Sequence, residues 1–382
     1  MQLFETYFLR LKFGAGACGT RWREASGKMR DAAFASLPIT NRDKTSPITA
    51  RPDTSRIVSR LTILINRLLG DKKTEPKTSG DPQEELGMTS GNEQTFCRNY
   101  ARELYTGAGE IVDLGCWLGA TTVSFSKGLR RNRSIDNGRK HQRIHSYDLF
   151  RWHPTMEREV KGTPLEGKYR EGDSFLPEFE RRTASWSEYF RVNAGDIKAA
   201  PWTHGPIELL FVDAMKWPDT AAYILKDFYP HLVPGVSLVA HQDFGDFYTG
   251  WIHLIQYRLR DYFEFFQEVK KSATVVFKLK AAIPPALLER DCFLEHASQE
   301  EVAAAFDYSS SLVSASMQER VAAGRAMAHF HRGEPELAKK VMLDFILGHL
   351  GSYRFHDRRS VMVEFYGEYG RRLTEAASAP GQ

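Results

Sequence analysis

The 382-residue chain has little of what would staple a fold covalently or around a metal. Its four cysteines, Cys18, Cys97, Cys116 and Cys292, include no C-x-x-C pair, which argues against a disulfide framework or a zinc site and fits a reducing cytoplasm. No apolar run approaches the roughly 18 residues of a membrane helix. The opening Met1 to Phe13 carries Glu5, Arg10 and Lys12 inside its apolar pattern, unlike the core of a secretory signal. A Gly-x-Gly-x-x-Gly dinucleotide turn is missing too, since Trp117 stands in the middle glycine's place, and this disfavours a dinucleotide oxidoreductase. Surplus positive charge is confined to one end: residues 1–80 hold 15 Lys+Arg against 7 Asp+Glu, so with a net charge of +4 overall the remainder is acidic. That balance, with few aromatics among the basic residues, argues against a nucleic-acid partner.

What is present begins with a hydrophobic content of 42%, enough for a full core. The stretch Gly109 to Thr122 reads as a buried strand running through a glycine turn, Gly115 to Gly119, into a helix whose free N–H groups can face a ligand. Asp113 is expected beside that ligand, at the strand's carboxyl end. Four further strand-like runs follow, at Arg143 to Tyr147, Phe190 to Asn193, Glu208 to Val212 and Val236 to Ala240. Asp148, Asp196 and Asp213 stand at or near the carboxyl ends of the first three, and His241-Gln242-Asp243 follows the last. Ligands bind at such ends in open α/β sheets, so the fold class expected is a doubly wound, Rossmann-like α/β sheet. A helix is expected over Asp219 to Leu232, and two closing strands over Tyr262 to Val269 and Thr274 to Leu279.

In this arrangement the chain resembles the class I S-adenosylmethionine-dependent methyltransferases over roughly Met88 to Lys280. Asp113, Gly115 and Gly119, then Asp148 for the ribose hydroxyls, then Asp196 near the adenine, match that family's positions in order. The phrase Asp113-Leu114-Gly115-Cys116-Trp117-Leu118-Gly119-Ala120, with Phe228-Tyr229-Pro230-His231-Leu232 and Gln242-Asp243-Phe244, looks most like the macrocin O-methyltransferase type. The resemblance implies S-adenosylmethionine as cofactor, with Trp117 packing on its methionine part or plugging the sheet's edge. It also implies paired acids holding Mg²⁺ near the acceptor hydroxyl. Here those pairs are reduced to Asp213-Ala214-Met215 and Gln242-Asp243, leaving Asp213, Gln242 and Asp243 as the candidate ligands for a hard cation.

Methyl transfer to oxygen needs an aligned acceptor and a base for its proton. His241 is the expected base, with Asp213 and Asp243 orienting it or holding the metal. An ionisable Asp213 directly after an apolar strand is costly unless solvated or used. The function expected is O-methylation of a small molecule or sugar. The alternative is a non-catalytic protein of the same fold that binds cofactor or a partner, for which the depleted acid pairs would be the mark.

Three regions are expected: a basic, largely flexible arm over 1–87, the methyltransferase domain over 88–285, and a helical extension over 286–382. Within the arm, Arg56 to Leu69 sets arginines on one helical side and aliphatics on the other. Such a helix lies on an anionic membrane surface or packs on its own core or a dimer mate, and packing is the favoured reading. The extension carries candidate helices at Ser298 to Phe306, Val313 to Phe330, Pro335 to Leu350 and Ser360 to Leu373. Two of them resemble a single tetratricopeptide-type hairpin with no second copy, expected to cover the catalytic domain or mediate dimerisation.

Overall fold

The computed structural model describes residues 86–349, which fall within one compact unit. The arm, the amphipathic segment Arg56 to Leu69 and the helix expected over Ser360 to Leu373 lie outside the described residues.

Seven strands form a single sheet in the hydrogen-bonded order β3-β2-β1-β4-β5-β7-β6. They are β1 (Glu110–Leu114), β2 (Ile144–Asp148), β3 (Phe190–Ala194), β4 (Ile207–Val212), β5 (Leu238–His241), β6 (Phe263–Glu268) and β7 (Val275–Leu279). The first five pair in parallel, while β7 lies antiparallel between β5 and β6. Every side chain of β4 is buried, as a strand covered on both faces requires. Strand order reverses between β1 and β4, which makes their carboxyl ends the topological switch point where a crevice opens in sheets of this kind. This is the Rossmann-like architecture expected from the alternation of apolar runs and helices.

One face of the sheet is covered by α1 (Gly91–Asn99), α2 (Ala120–Arg131) and α3 (Leu176–Thr183), whose Phe96, Phe125 and Phe179 share a core with Ile111, Ile144 and Leu209. Helix α1 starts at a reciprocal cap: Glu93 N–H donates to Ser90 Oγ, and Ser90 N–H donates to Glu93 Oε2. The other face is covered by α4 (Pro218–Asp227) and α5 (Trp251–Arg258), and a short α6 (Pro285–Leu288) follows in the chain. The helix expected over Asp219 to Leu232 is therefore α4 plus a separate turn, Tyr229–His231, the break falling at Phe228, two residues before Pro230.

Beyond Pro285 come α7 (Gln299–Leu312), α8 (Ala315–His331) and α9 (Pro335–His349). Val302, Phe306 and Val321 of this segment belong to the same core as Val239 of β5 and Ile255 of α5. Apolar residues of α7 and α8 thus bury themselves against the sheet's second face. Among the described residues no helix is long and apolar enough to cross a membrane.

At the amino end of the sheet, the buried Glu208 of β4 accepts hydrogen bonds from the backbone N–H groups of Thr106 (2.6 Å), Ala108 (2.8 Å) and Gly109 (3.3 Å), and from the Thr106 hydroxyl (3.1 Å). These donors line the turn leading into β1.

Candidate active site

The turn after β1 has the geometry its glycines suggest, though their constraint comes from the protein itself. Gly115 and Gly119 take φ of +90° and +89°, a region that costs a side chain. A Cβ on Gly115 would stand 2.6 Å from the Asp213 carbonyl oxygen, and one on Gly119 would stand 2.5 Å from Thr183 Cγ2. The first contact ties the β1 turn to the carboxyl end of β4 across the switch point. Gly119 also stands at the N-cap of α2 and makes no side-chain cap hydrogen bond.

The strand-end acids divide into two sets. Asp148 sits where β2 ends: Oδ2 accepts from Trp117 N–H (2.8 Å) and Oδ1 from Phe150 N–H (2.7 Å). Burial raises its pKa, against those two donors. Each oxygen keeps a lone pair for a ligand hydroxyl. Asp196 is exposed at the end of β3, its carboxylate taking the Lys198 N–H (2.9 Å).

Asp113, expected beside the ligand, is enclosed by protein, with Oδ1 meeting no donor among the described residues. It lies inside β1, fully buried, and its Oδ2 accepts from the hydroxyls of Thr121 (2.8 Å) and Thr122 (2.7 Å). Burial pushes its pKa up to about 6 against those hydroxyls. Its place is to fasten β1 to the start of α2. Trp117 takes a left-handed backbone, φ 42°, and its ring is buried in the apolar layer with Leu118, Phe150 and Phe179. Strain of this kind persists only where the surroundings enforce it. Here the backbone N–H it aims at Asp148 is the visible return.

The second set stands at the ends of β4 and β5. Lys216 Nζ donates to Asp213 Oδ1 (2.5 Å) and to Asp243 Oδ2, forming an ion pair with each. Gln242, oriented with its amide nitrogen toward the acids as hydrogen bonding requires, donates to Asp243 Oδ1 (2.9 Å) and Asp213 Oδ1 (3.0 Å). Asp213 Oδ2 accepts no hydrogen bond from a described residue. The loop carrying Lys216 is fixed by the Trp251 indole N–H, which donates to the Met215 carbonyl (2.9 Å).

Burial pulls the Lys216 ammonium down, but the two carboxylates outweigh it and hold its pKa above the ordinary lysine range. Burial raises Asp213, Lys216 opposes, and the neighbouring Asp243 and Glu93 raise it further. Glu93 reaches this neighbourhood from the cap of α1, its other oxygen taking the Thr274 hydroxyl.

The residues present do not fit the Mg²⁺ implied by the resemblance. A hard divalent cation needs several oxygen ligands. Between Asp213 and Asp243 stands the Lys216 ammonium, paired with both. Among the described residues no group of three or more His, Cys, Asp or Glu side chains is arranged to hold a metal.

The structure also moves His241 out of the expected role of base. It is the last residue of β5 and fully buried, with Nε2 against the Gln256 amide (2.7 Å) and the Tyr229 hydroxyl (3.3 Å). Burial lowers its pKa to about 3. A ring with no solvent-facing surface cannot take a proton from an acceptor at the strand ends. His253 of α5 is likewise buried, between Phe244 and Phe306, with Nδ1 on the Ser309 hydroxyl (3.0 Å).

Sequence reasoning stopped one residue short of Lys216. The signal was there in the spacing Asp213-Ala214-Met215-Lys216, which returns a cation to its acid three residues on.

Residues 112–242 match the family described as a methyltransferase domain. No curated protein matches the chain. Among solved structures, the chain is similar to CalS11, a calicheamicin methyltransferase, at 14% identity and a TM-score of 0.36, covering 63% of this chain and 99% of that one. It is similar also to the apo form of CalS11, described as a TDP-rhamnose 3'-O-methyltransferase of calicheamicin biosynthesis, at 17% identity and 0.35, covering 60% and 96%. Coclaurine N-methyltransferase bound to N-methylheliamine and SAH matches at 11% and 0.27, covering 98% and 95%. Scores this low carry no weight for the acceptor.

Proposed function

We propose, from the premise that the chain carries a class I methyltransferase domain, that it transfers the methyl group of S-adenosylmethionine to a hydroxyl oxygen of a small molecule, sugars included. The observation that carries this reading is the position of Asp213. It stands at the switch point, against the glycine turn, with Oδ2 open and its proton affinity raised by burial.

Bound S-adenosylmethionine supplies an electrophilic methyl group on a sulfonium, so the protein's work is to align the acceptor and remove its proton. The β1 turn and Asp148 hold the ribose side, and Asp196 stands where an adenine edge would lie. Asp213 Oδ2 takes the acceptor's proton. Lys216 and Gln242 hold Asp213 Oδ1, which fixes the carboxylate's rotation and leaves the second oxygen to work. A carboxylate whose pKa is raised toward neutrality serves better as a base than an ordinary one.

Two measurements test the reading together. Calorimetric titration with S-adenosylmethionine should give a single saturable site, and S-adenosylhomocysteine should accumulate with at least one member of a panel of sugars, phenols and hydroxy acids. Cofactor binding without turnover of any acceptor, and with Asp213→Asn indistinguishable from wild type, would favour the non-catalytic alternative.

A further inference from the structure

We propose that Lys216 is the resident cation of this site, a tethered ammonium in the place where a divalent metal would otherwise bridge Asp213 and Asp243. Its part in turnover rests on the methyl-transfer reading, whereas its exclusion of metal does not.

Three observations converge on it. The ammonium contacts one oxygen of each acid, so it spans the gap between the carboxyl ends of β4 and β5 as a bridging cation does. With the ammonium between the acids, the Gln242 amide is hydrogen-bonded to both of them once its nitrogen is assigned to that side, so it acts as a second donor to the pair. The loop between Asp213 and Lys216 is pinned by Trp251 on the Met215 carbonyl, so the lysine is held in register with its acids.

An ammonium has three N–H donors in addition to its charge. Two are spent on Asp213 and Asp243. The third remains for solvent or an acceptor oxygen, and 32% of the Lys216 side chain is exposed. The arrangement therefore offers one directed hydrogen bond to the acceptor, where a metal would offer open coordination positions. Lys216 would position the acceptor oxygen against Asp213, and the protein would need no dissociable ion.

The test uses Mn²⁺ alone, followed by electron paramagnetic resonance and calorimetry on the full chain. Wild type should show no saturable Mn²⁺ site, and any methyl transfer should persist in chelator. Lys216→Ala leaves two facing carboxylates without their counter-charge, and should acquire a Mn²⁺ site at least about tenfold tighter than anything in wild type. That site should vanish in the Lys216→Ala/Asp243→Asn double variant. Lys216→Arg, which keeps the positive charge, should remain blind to the metal. Lys216→Met, which keeps the length of the apolar stem, serves in place of alanine should that variant not fold. Saturable Mn²⁺ binding by wild type that Asp243→Asn abolishes would overturn the proposal, as would a folded Lys216→Ala or Lys216→Met with no gain of metal affinity. A protein that turns over no acceptor still gives the Mn²⁺ readout, so failure of the methyl-transfer reading and failure of this one are separate results.

Discussion

The two pairs of strand ends at the carboxyl edge of the sheet carry the same residue type and treat it in opposite ways. At β1 and β2, Asp113 and Asp148 meet only uncharged donors, threonine hydroxyls on one oxygen of the first and backbone N–H groups on both oxygens of the second, while Asp113 Oδ1 is buried without a donor among the described residues. At β4 and β5, Asp213 and Asp243 are held by a charged ammonium and an amide. Neutral donors fix a carboxylate without a counter-charge, and of this pair Asp148 keeps lone pairs for donors on a ligand. The ammonium compensates the second pair and leaves one oxygen free. On the proposed reading, one end holds the cofactor and the other handles a proton.

The most direct way to break that division is Asp213→Asn, which keeps the shape of the second end and removes its base. Turnover should fall by roughly 10²–10⁴-fold, the usual worth of a positioned general base, while calorimetry shows S-adenosylmethionine affinity unchanged. A matching loss of cofactor affinity would mean that the two ends are not separate.

Gly115→Val attacks the seam between them. The added side chain combines a left-handed backbone with a collision against the Asp213 carbonyl, and should cost about 3 kcal/mol or more in denaturant unfolding. A loss below about 1 kcal/mol would show that the turn can move away from β4.

Asp148→Ala addresses the first end alone. Cofactor affinity should weaken by roughly 1.5–3 kcal/mol, the range for hydrogen bonds to a charged group, with turnover at saturating cofactor much less affected. The opposite pattern, intact affinity and lost turnover, would move Asp148 into the chemistry.

The last comparison concerns His241, which lies under the second end without belonging to it and whose effect is confined to acid pH. Its folded pKa of about 3 is below the unfolded 6.5, so the unfolded chain binds more protons between those values. Wild type therefore loses the corresponding stability as pH falls through that window, at up to about 1.4 kcal/mol per pH unit. His241→Gln should lack this term, so its stability relative to wild type should improve toward pH 3 in urea titrations. A pH-independent difference between the two proteins would show that the ring is not buried in neutral form.

The sheet was legible because each apolar run is short and most are followed by an acid, a pattern that gives both strand and polarity. Asp148, the last residue of β2, and Asp213, the first beyond β4, stand at strand ends as expected. His241, likewise the last residue of its strand, was misread because it pairs with Val212 and follows Val239 by two, so it points into the same buried layer. Asp113 was misread for the same reason, two residues after the buried Ile111. Period two alone does not separate these cases, since Asp148 and Asp213 also follow buried residues by two; what covers each strand end does. Which donor would answer each acid was harder to foresee, because the contact between Lys216 and Asp243 depends on β4 and β5 lying side by side.

Glu208, at the far edge of the sheet, has a consequence for how the chain finds its register. The donors it gathers come from residues about a hundred positions earlier in the chain, and none can be met until β4 has docked on β1. A one-residue slip of β4 would turn Glu208 toward the opposite face and strand its carboxylate and the turn's N–H groups without partners. The glutamate thus acts as a proofreading contact for the central strand pair, and the alignment it selects is the one that sets Asp213 against Gly115 at the other end.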